Sequence, residues 1–218
     1  TLLIPANREA ESLPHFLKEL NNYNYEKIIV LQKEDEETIK SISNYKDIKI
    51  VVQKNNGYGS ALKEGIEAIN TEFFCIINAD GSMDPKYLKE MLLLCEKNDF
   101  VFASRYLKGG GSDDDDIVTF IGNKCFSLIG NLLFSLNLSD ILYTFVVGKT
   151  KSAKMLELSY HDFRICVEIP IKAKTNKFLF TSTPSKERKR IGGKKKVNAL
   201  KDGFLILTAI MELFLKKN

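Results

Sequence analysis

The sequence predicts an α/β fold, a mostly parallel sheet with flanking helices. Three observations carry that prediction. Short β-rich apolar runs alternate with stretches whose apolar residues recur three and four apart. The connections between them are short, the pattern of βαβ units. The chain has 218 residues, 44% apolar and 28% charged. It is long enough to bury a core of its own and too apolar for whole-chain disorder.

Leu2–Ile4 opens the series as an apolar run cut by Pro5. Leu13, Phe16, Leu17 and Leu20 mark a helix face. Lys27–Leu31 reads as a strand, and Thr38, Ile39 and Ile42 as a short helix. Ile48–Val52 is the third strand. Ala61, Leu62, Gly65, Ile66 and Ile69 form the next helical face. Phe73–Ile77 is a strongly apolar strand, followed by a helix through Leu88, Met91, Leu92 and Cys95. Phe100–Ala103 closes the series.

The second half is less regular. Gly109–Gly111 and Asp113–Asp116 read as a flexible, solvated acidic loop. Ile117–Leu138 reads as a helix, with Phe120–Leu138 expected in the core. Tyr143–Gly148 and Phe178–Thr183 read as strands, and Asp162–Lys174 as a helix kinked at Pro170. A basic loop and a C-terminal helix finish the chain, and no internal repeat is evident.

Cys75, Cys95, Cys125 and Cys166 form no CxxC pair, which argues against a zinc or thioredoxin-type site. Cys75 and Cys95 sit among apolar neighbours and read as buried thiols of a cytosolic protein. Two histidines, His15 and His161, are too few for a His-rich metal site and argue against a Ser-His-Asp hydrolase. The chain opens inside its first strand without a Met, so it reads as a fragment, and no signal peptide is visible. With no run of 18 apolar residues, no membrane span is expected. Cys125–Leu138 and Gly203–Leu215 are the candidate interfacial stretches.

The net charge is +4, but eight basic residues fall between Lys186 and Lys201 against one acid, Glu187. That run contains Gly192 and Gly193 and reads as a mobile loop. Its use is phosphate capture, attraction to anionic headgroups, or simple solvation. No aromatic interleaves the charges, so no nucleic acid is expected as a partner.

Parallel sheets bind ligands at the carboxyl ends of their strands. Polar groups follow every strand here: Asn7 and Glu9, then Gln32, then Asn56, Gly57 and Gly59, then Asn78 and Asp80, then Ser104 and Arg105. Asp80, directly after the apolar Phe73–Ile77 strand, either holds a divalent cation against two phosphates or caps the turn that follows.

The ordered set Pro5…Asn7-Arg8-Glu9, Asn56-Gly57-Tyr58-Gly59-Ser60-Ala61-Leu62, Asn78-Ala79-Asp80, Ala103-Ser104-Arg105-Tyr106…Gly109-Gly110 and Ser139-Asp140 resembles the family 2 glycosyltransferases. It is most similar to their dolichol-phosphate mannose synthase and polyprenyl-phosphate glycosyltransferase branch. The resemblance covers almost the whole chain. It implies one GT-A catalytic domain over 1–218: a nucleotide-sugar half (1–106), an acceptor half (107–202) and an apolar helix (203–218). It implies inverting transfer of a sugar from a UDP- or GDP-linked donor to a polyprenyl phosphate, with Mg2+ or Mn2+. The protein is expected to lie peripherally on the cytoplasmic face of the membrane. A sugar-hydroxyl acceptor in surface-polysaccharide synthesis and a non-catalytic nucleotide-binding relative are the rival expectations.

By that resemblance, Pro5, Asn7 and Glu9 line the base and ribose pocket, with Gln32 at the next strand end. Gly57 and Gly59 let the backbone approach the nucleotide. Asp80 holds the metal, with Asn78 beside it. Arg105 faces a phosphate, and Asp140 lies near sugar and acceptor. Arg188, Arg190 and Lys194 meet the acceptor phosphate. Two positions depart from the family pattern: Leu31-Gln32 replaces a pair of aspartates, and Asn78-Ala79-Asp80 lacks one carboxylate of an Asp-x-Asp. A lipid phosphate is already an anionic nucleophile, so Asp140 then orients. A hydroxyl acceptor makes Asp140 the general base. The apolar C-terminal helix must bury against its own domain, a second copy in a homodimer, or a bilayer interface.

Overall fold

The computed structural model describes residues 1–192 and 196–217. Strands β1 (Leu2–Pro5), β2 (Lys27–Leu31), β3 (Lys49–Val52) and β4 (Phe73–Ile76) run parallel. They alternate with α1 (Ser12–Leu20), α2 (Glu36–Ser41) and α3 (Tyr58–Glu67). A 3-10 turn at Pro85–Tyr87 and α4 (Leu88–Glu96) lead to β5 (Phe100–Ser104). The expected alternation of the first half is therefore present, each element within a few residues of its sequence bounds.

After β5 come the short β6 (Gly111–Ser112), α5 (Ile117–Phe134), β7 (Val146–Lys149), α6 (Thr150–Lys154) and α7 (Ile165–Thr175). Strands β8 (Phe180–Pro184) and β9 (Lys186–Glu187) and helix α8 (Ala199–Lys217) complete the chain. Pro170 lies inside α7. The main sheet has the order β3-β2-β1-β4-β7-β5-β8, with β7 antiparallel to both of its neighbours. That reversal brings the chain before β7 to the pole where β1, β2, β4, β5 and β8 end. A separate parallel pair, Gly111 with Lys186 and Ser112 with Glu187, ties β6 to β9.

Every residue of β1, β2 and β5 is buried, so successive side chains serve two cores. Leu3, Ile28, Val30, Phe74 and Phe100 pack with α3, α7 and α8 on one face. Leu2, Ile4, Ile29, Leu31, Cys75 and Val101 pack with α1 and α4 on the other. Cys75 and Cys95 are buried free thiols, and burial pushes the Cys95 thiol up to about 11.

Helix α5 meets the expectation for Phe120–Leu138 only in part: Phe134 is buried and Phe126, Ile129 and Leu133 pack against the core. Its buried stripe is Asn123, Ser127, Gly130 and Phe134, while Ile117, Val118, Phe120, Ile121, Leu128 and Leu132 are exposed. The helix ends where Ser135 turns left-handed, and Leu136 and Leu138 enter the core from the following loop. Polar and small side chains face inward because they meet Tyr106, the Ile141 amide and the Ile141 side chain there. Among the described residues α5 is a helix long and apolar enough to cross a membrane by length and composition.

Glu168 on α7 is fully buried and holds the loop that reaches the site pole. Its carboxylate accepts from the Ser159 amide (2.7 Å), the Ser159 hydroxyl (2.6 Å) and the Tyr160 amide (3.0 Å), and pairs with Lys172 (2.9 Å). Replacing it by alanine leaves two amides and a cation without their acceptor. Glu168→Ala is expected to destabilise the fold by about 3–5 kcal/mol, and Glu168→Gln by roughly half of that, in urea unfolding. An equal cost for both would show that one retained carbonyl oxygen is worth nothing there and that the charge and second oxygen carry the whole effect.

Candidate active site

The sequence-predicted residues gather at one pole, around the carboxyl ends of the parallel strands. Pro5 is buried at the end of β1, Asn7 is exposed at the rim, and Glu9 is buried behind it. Thr38 accepts the Glu9 amide at 2.9 Å, and the Glu9 carboxylate accepts from Ser12 and pairs with Lys196. Between them Arg8 adopts a left-handed conformation (φ 55°) and donates its amide to Asp35 at 2.6 Å. Gln32 is half-buried directly after β2.

Asp80 is buried at the turn after β4. Its Oδ1 accepts the Ser82 amide at 3.0 Å, and Oδ2 faces Nη1 of Arg190 at 3.5 Å. Asn78 beside it accepts from the Tyr58 hydroxyl (3.1 Å), which also shares a proton with Thr144 (2.6 Å). Tyr58 thus pins the starts of α3 and β7 to the end of β4, and burial pushes its phenol far up, so it stays neutral.

The two glycines of Asn56-Gly57-Tyr58-Gly59 serve a different neighbour from the expected one. A Cβ on Gly57 would lie 2.2 Å from the His161 carbonyl oxygen, and one on Gly59 would lie 2.5 Å from that of Tyr160. The close backbone approach they permit is taken by the 160–162 segment that Glu168 holds.

Arg105 and Asp140 meet each other. Nε donates to Oδ2 at 2.7 Å and Nη2 to Oδ1 at 3.0 Å, while the Arg105 amide reaches Oδ2 at 3.3 Å. Nη1 donates to Glu187 (3.2 Å) and Asp115 (3.3 Å), and the Tyr143 ring covers the guanidinium at 4.6 Å. Burial works against the Arg105 charge, but Asp140 and Glu187 outweigh it and hold the group firmly protonated. Arg105 is therefore spent on three carboxylates rather than aimed at a phosphate. Asp140, whose side chain is 0% exposed, has both oxygens covered. Burial pushes the Glu187 carboxyl up, against the pull of Arg105 and the Ser112 hydroxyl, and Asp115 adds to the push.

The basic run is laid over this pole. Arg188 grips Glu19 with two bonds (2.8 and 3.0 Å) and the Gly81 carbonyl with two more, and its amide donates to Ser82. Arg190 binds Asp114 through Nη2 (2.6 Å) and Nε (3.2 Å) while facing Asp80. The Ile191 amide donates to the Asp80 carbonyl at 2.9 Å. Lys194 lies outside the described residues.

The acidic run is a solvated loop only in part: Asp113 and Asp116 are exposed, and each of the four carboxylates has a partner. Asp113 pairs with Lys186 (3.0 Å), Asp114 with Arg190, Asp115 with Arg105 and the Tyr106 hydroxyl (2.7 Å), and Asp116 caps α5 at Thr119 (2.7 Å). Sequence reasoning missed Tyr58, Asp114, Asp115, Glu187 and Lys196 as site residues. One signal was present: a run of four acids and a run of eight bases in one chain are natural partners.

Asp80 is suited to hold a divalent ion in the way Mg2+ is commonly held, by one carboxylate together with substrate phosphates. No group of three or more His, Cys, Asp or Glu positioned for a metal occurs among the described residues.

An α/β sheet with this strand order, one antiparallel insertion and acidic and basic groups gathered at its carboxyl pole is a GT-A-type nucleotide-sugar fold. The model of Glycosyl transferase family 2 matches residues 1–156, and the chain belongs to that family. An uncharacterized glycosyltransferase of Mycobacterium tuberculosis (strain ATCC 25618 / H37Rv) is 33% identical over 95 residues, covering 42% of this chain and 43% of the relative. A Mycobacterium bovis (strain ATCC BAA-935 / AF2122/97) glycosyltransferase, also uncharacterized, matches to the same extent. The match thus spans less than half of those relatives' length.

Among solved structures, glucosyl-3-phosphoglycerate synthase from M. tuberculosis, in complex with Mn2+, UDP-glucose and phosphoglyceric acid, superposes with a TM-score of 0.74. It is 12% identical, and the match covers 98% of this chain and 78% of that one. At that identity the likeness is one of fold.

Glu187 gives this cluster a pH signature. Its folded-state pKa is raised, so the stability it contributes is fully present below the ordinary carboxylate range. That stability is lost as pH rises through the raised value. The stability of the unaltered chain relative to Glu187→Gln is expected to fall as pH rises from 4 upward (roughly the carboxylate range), read from urea midpoints. A pH-independent difference would assign Glu187 an ordinary pKa.

Proposed function

We propose that this family 2 glycosyltransferase moves a sugar, with inversion, from a UDP- or GDP-linked donor to a polyprenyl phosphate at the cytoplasmic surface of a membrane. A phosphate oxygen of the acceptor attacks the anomeric carbon as the bond to the diphosphate breaks. The nucleoside diphosphate leaves.

The observation that carries the choice of acceptor is the exposed apolar face of α5. A helix with Asn123, Ser127 and Gly130 inward and Ile121, Leu128 and Leu132 outward is suited to apolar surroundings, not to water. Helix α8 packs beside it and adds exposed Leu200, Phe204, Met211 and Leu215. Lys124 beside Phe120 and Lys201 on α8 add positive charge to these helices, as an anionic lipid surface favours.

The enclosure of Asp140 supports a phosphate acceptor as well. A carboxylate that is fully buried and bonded through both oxygens to Arg105 is not open to a substrate hydroxyl. An acceptor phosphate is anionic at neutral pH and needs positioning instead.

On the donor side, Pro5, Asn7, Glu9 and Gln32 would line the nucleoside pocket, and Asp80 would hold Mn2+ or Mg2+. That ion supplies neutralisation of the charge developing on the leaving diphosphate. A second proposal keeps the phosphate and drops the lipid. The glucosyl-3-phosphoglycerate synthase structures hold phosphoglyceric acid, a soluble phosphorylated acceptor.

Two experiments test the proposal. Asp80→Ala is expected to lower transfer by at least about 100-fold, with the urea midpoint retained. Undiminished transfer would remove Asp80 from the site. The unaltered chain is expected to float with phosphatidylglycerol vesicles and to glycosylate polyprenyl phosphate. The exposed substitutions Ile121→Glu, Leu128→Glu and Leu132→Glu together are expected to abolish flotation. Transfer to phosphoglyceric acid without vesicle binding would favour the soluble acceptor.

A further inference from the structure

The acceptor-side role that the resemblance gives Arg190 does not match where its guanidinium lies. Nη2 and Nε are bonded to Asp114, and the remaining nitrogen, Nη1, is directed at Oδ2 of Asp80. The contacts are graded: 2.6 and 3.2 Å to Asp114, 3.5 Å to Asp80. The group is anchored on Asp114 and reaches across to Asp80. Its place is fixed from the backbone too, since the Arg188 amide donates to Ser82 and the Ile191 amide to Asp80 itself.

We propose that Arg190, moored by Asp114, is the resident cation of the donor site. It neutralises Asp80 and an incoming diphosphate when no divalent ion is bound, and yields Asp80 to the ion when one arrives. The proposal rests on the donor half of the function proposed above and deepens it.

Three features support the assignment. First, Asp80 is a buried carboxylate, and a buried charge needs a counter-charge. The chain supplies one from its own loop. Second, the neighbouring position is Asn78, neutral and committed to Tyr58, so the site attracts a divalent ion with one carboxylate fewer. A fixed cation on hand matters more in such a site. Third, with its Nε–Nη2 edge held by Asp114, the guanidinium still offers Nη1 as a charged donor that a phosphate oxygen can accept from. Because Asp114 holds Nε and Nη2 of a rigid plane, Nη1 stays in place, and the exchange of partners takes place at Oδ2 of Asp80. An ion and a guanidinium repel, so they use Oδ2 in turn and not together.

The test is calorimetric titration of UDP and of GDP, each with Mn2+ and with EDTA, on the unaltered chain, Arg190→Gln and Arg190→Lys. For the nucleotide that binds, removing Mn2+ should weaken the unaltered chain by no more than about tenfold. In Arg190→Gln the same removal should weaken binding by about 100-fold or more, with Mn2+-loaded affinity kept or improved. Arg190→Lys keeps the charge and should fall between them.

Equal metal dependence in the unaltered chain and Arg190→Gln would overturn the proposal and leave the donor assignment standing. So would an equal loss with and without Mn2+, which marks Arg190 as a plain nucleotide ligand. Failure of the unaltered chain to bind either nucleotide under both conditions would overturn the donor assignment and this proposal with it.

Discussion

One buried guanidinium organises the second half of this protein. Arg105 sits at the end of β5 and bonds Asp140 from the segment before β7, Asp115 from the acidic run, and Glu187 from β9. These segments also meet through Tyr106 with Asp115, Ser112 with Glu187, Ser104 with Ser139 and the β6–β9 pair. Three carboxylates and one cation leave the cluster net negative, so the one positive charge is shared among all three. Removing that charge would leave like charges facing each other out of water, a change that costs several kcal/mol in comparable buried pairs. The aromatic cover of Tyr143 and Tyr106 keeps water from relieving the cluster.

A second layer of charge lies over the first. Arg188 clamps the turn after β4 to Glu19 on α1, Arg190 spans Asp114 and Asp80, and Lys196 meets Glu9. The basic run is thus engaged by specific carboxylates, although it is the most strongly charged stretch of the chain. The acids it engages include the two that the family resemblance assigns to the donor. Ligand entry at this pole therefore exchanges one set of ionic contacts for another of the same sign. Such exchange keeps the net cost of opening a buried ion pair small, because each freed carboxylate or cation gains a new partner.

The first half of the fold was legible because its signals are local. Fully buried strands write themselves as continuous apolar runs, and amphipathic α1 and α3 show their period directly. The strand ends then marked the pole where Glu9, Asp80 and Arg105 lie. What could not be read was set by contacts distant in sequence. The pairing of Asp113–Asp116 with 105, 186 and 190 depends on the two-residue ladder between β6 and β9, too short to leave a pattern. Gly57 and Gly59 signalled a close approach correctly, but only the position of 160–162 reveals what approaches.

Helix α5 failed to be legible for a different reason. Composition gives how apolar a helix is, and periodicity gives which residues share a face. Neither states which face is turned inward. In water the apolar face goes in, and that rule placed Phe120–Leu138 in the core. Here the inward face is the one that carries Asn123, which donates to the Tyr106 hydroxyl, and Ser127, which accepts the Ile141 amide. Tyr106 in turn donates to Asp115, a member of the Arg105 cluster. Asn123 and Ser127 are thus drawn inward beside Phe126, Ile129, Leu133 and Phe134, and Ile121, Leu128 and Leu132 are left outward. An exposed apolar surface and a site rich in buried charge are joined by the same set of hydrogen bonds.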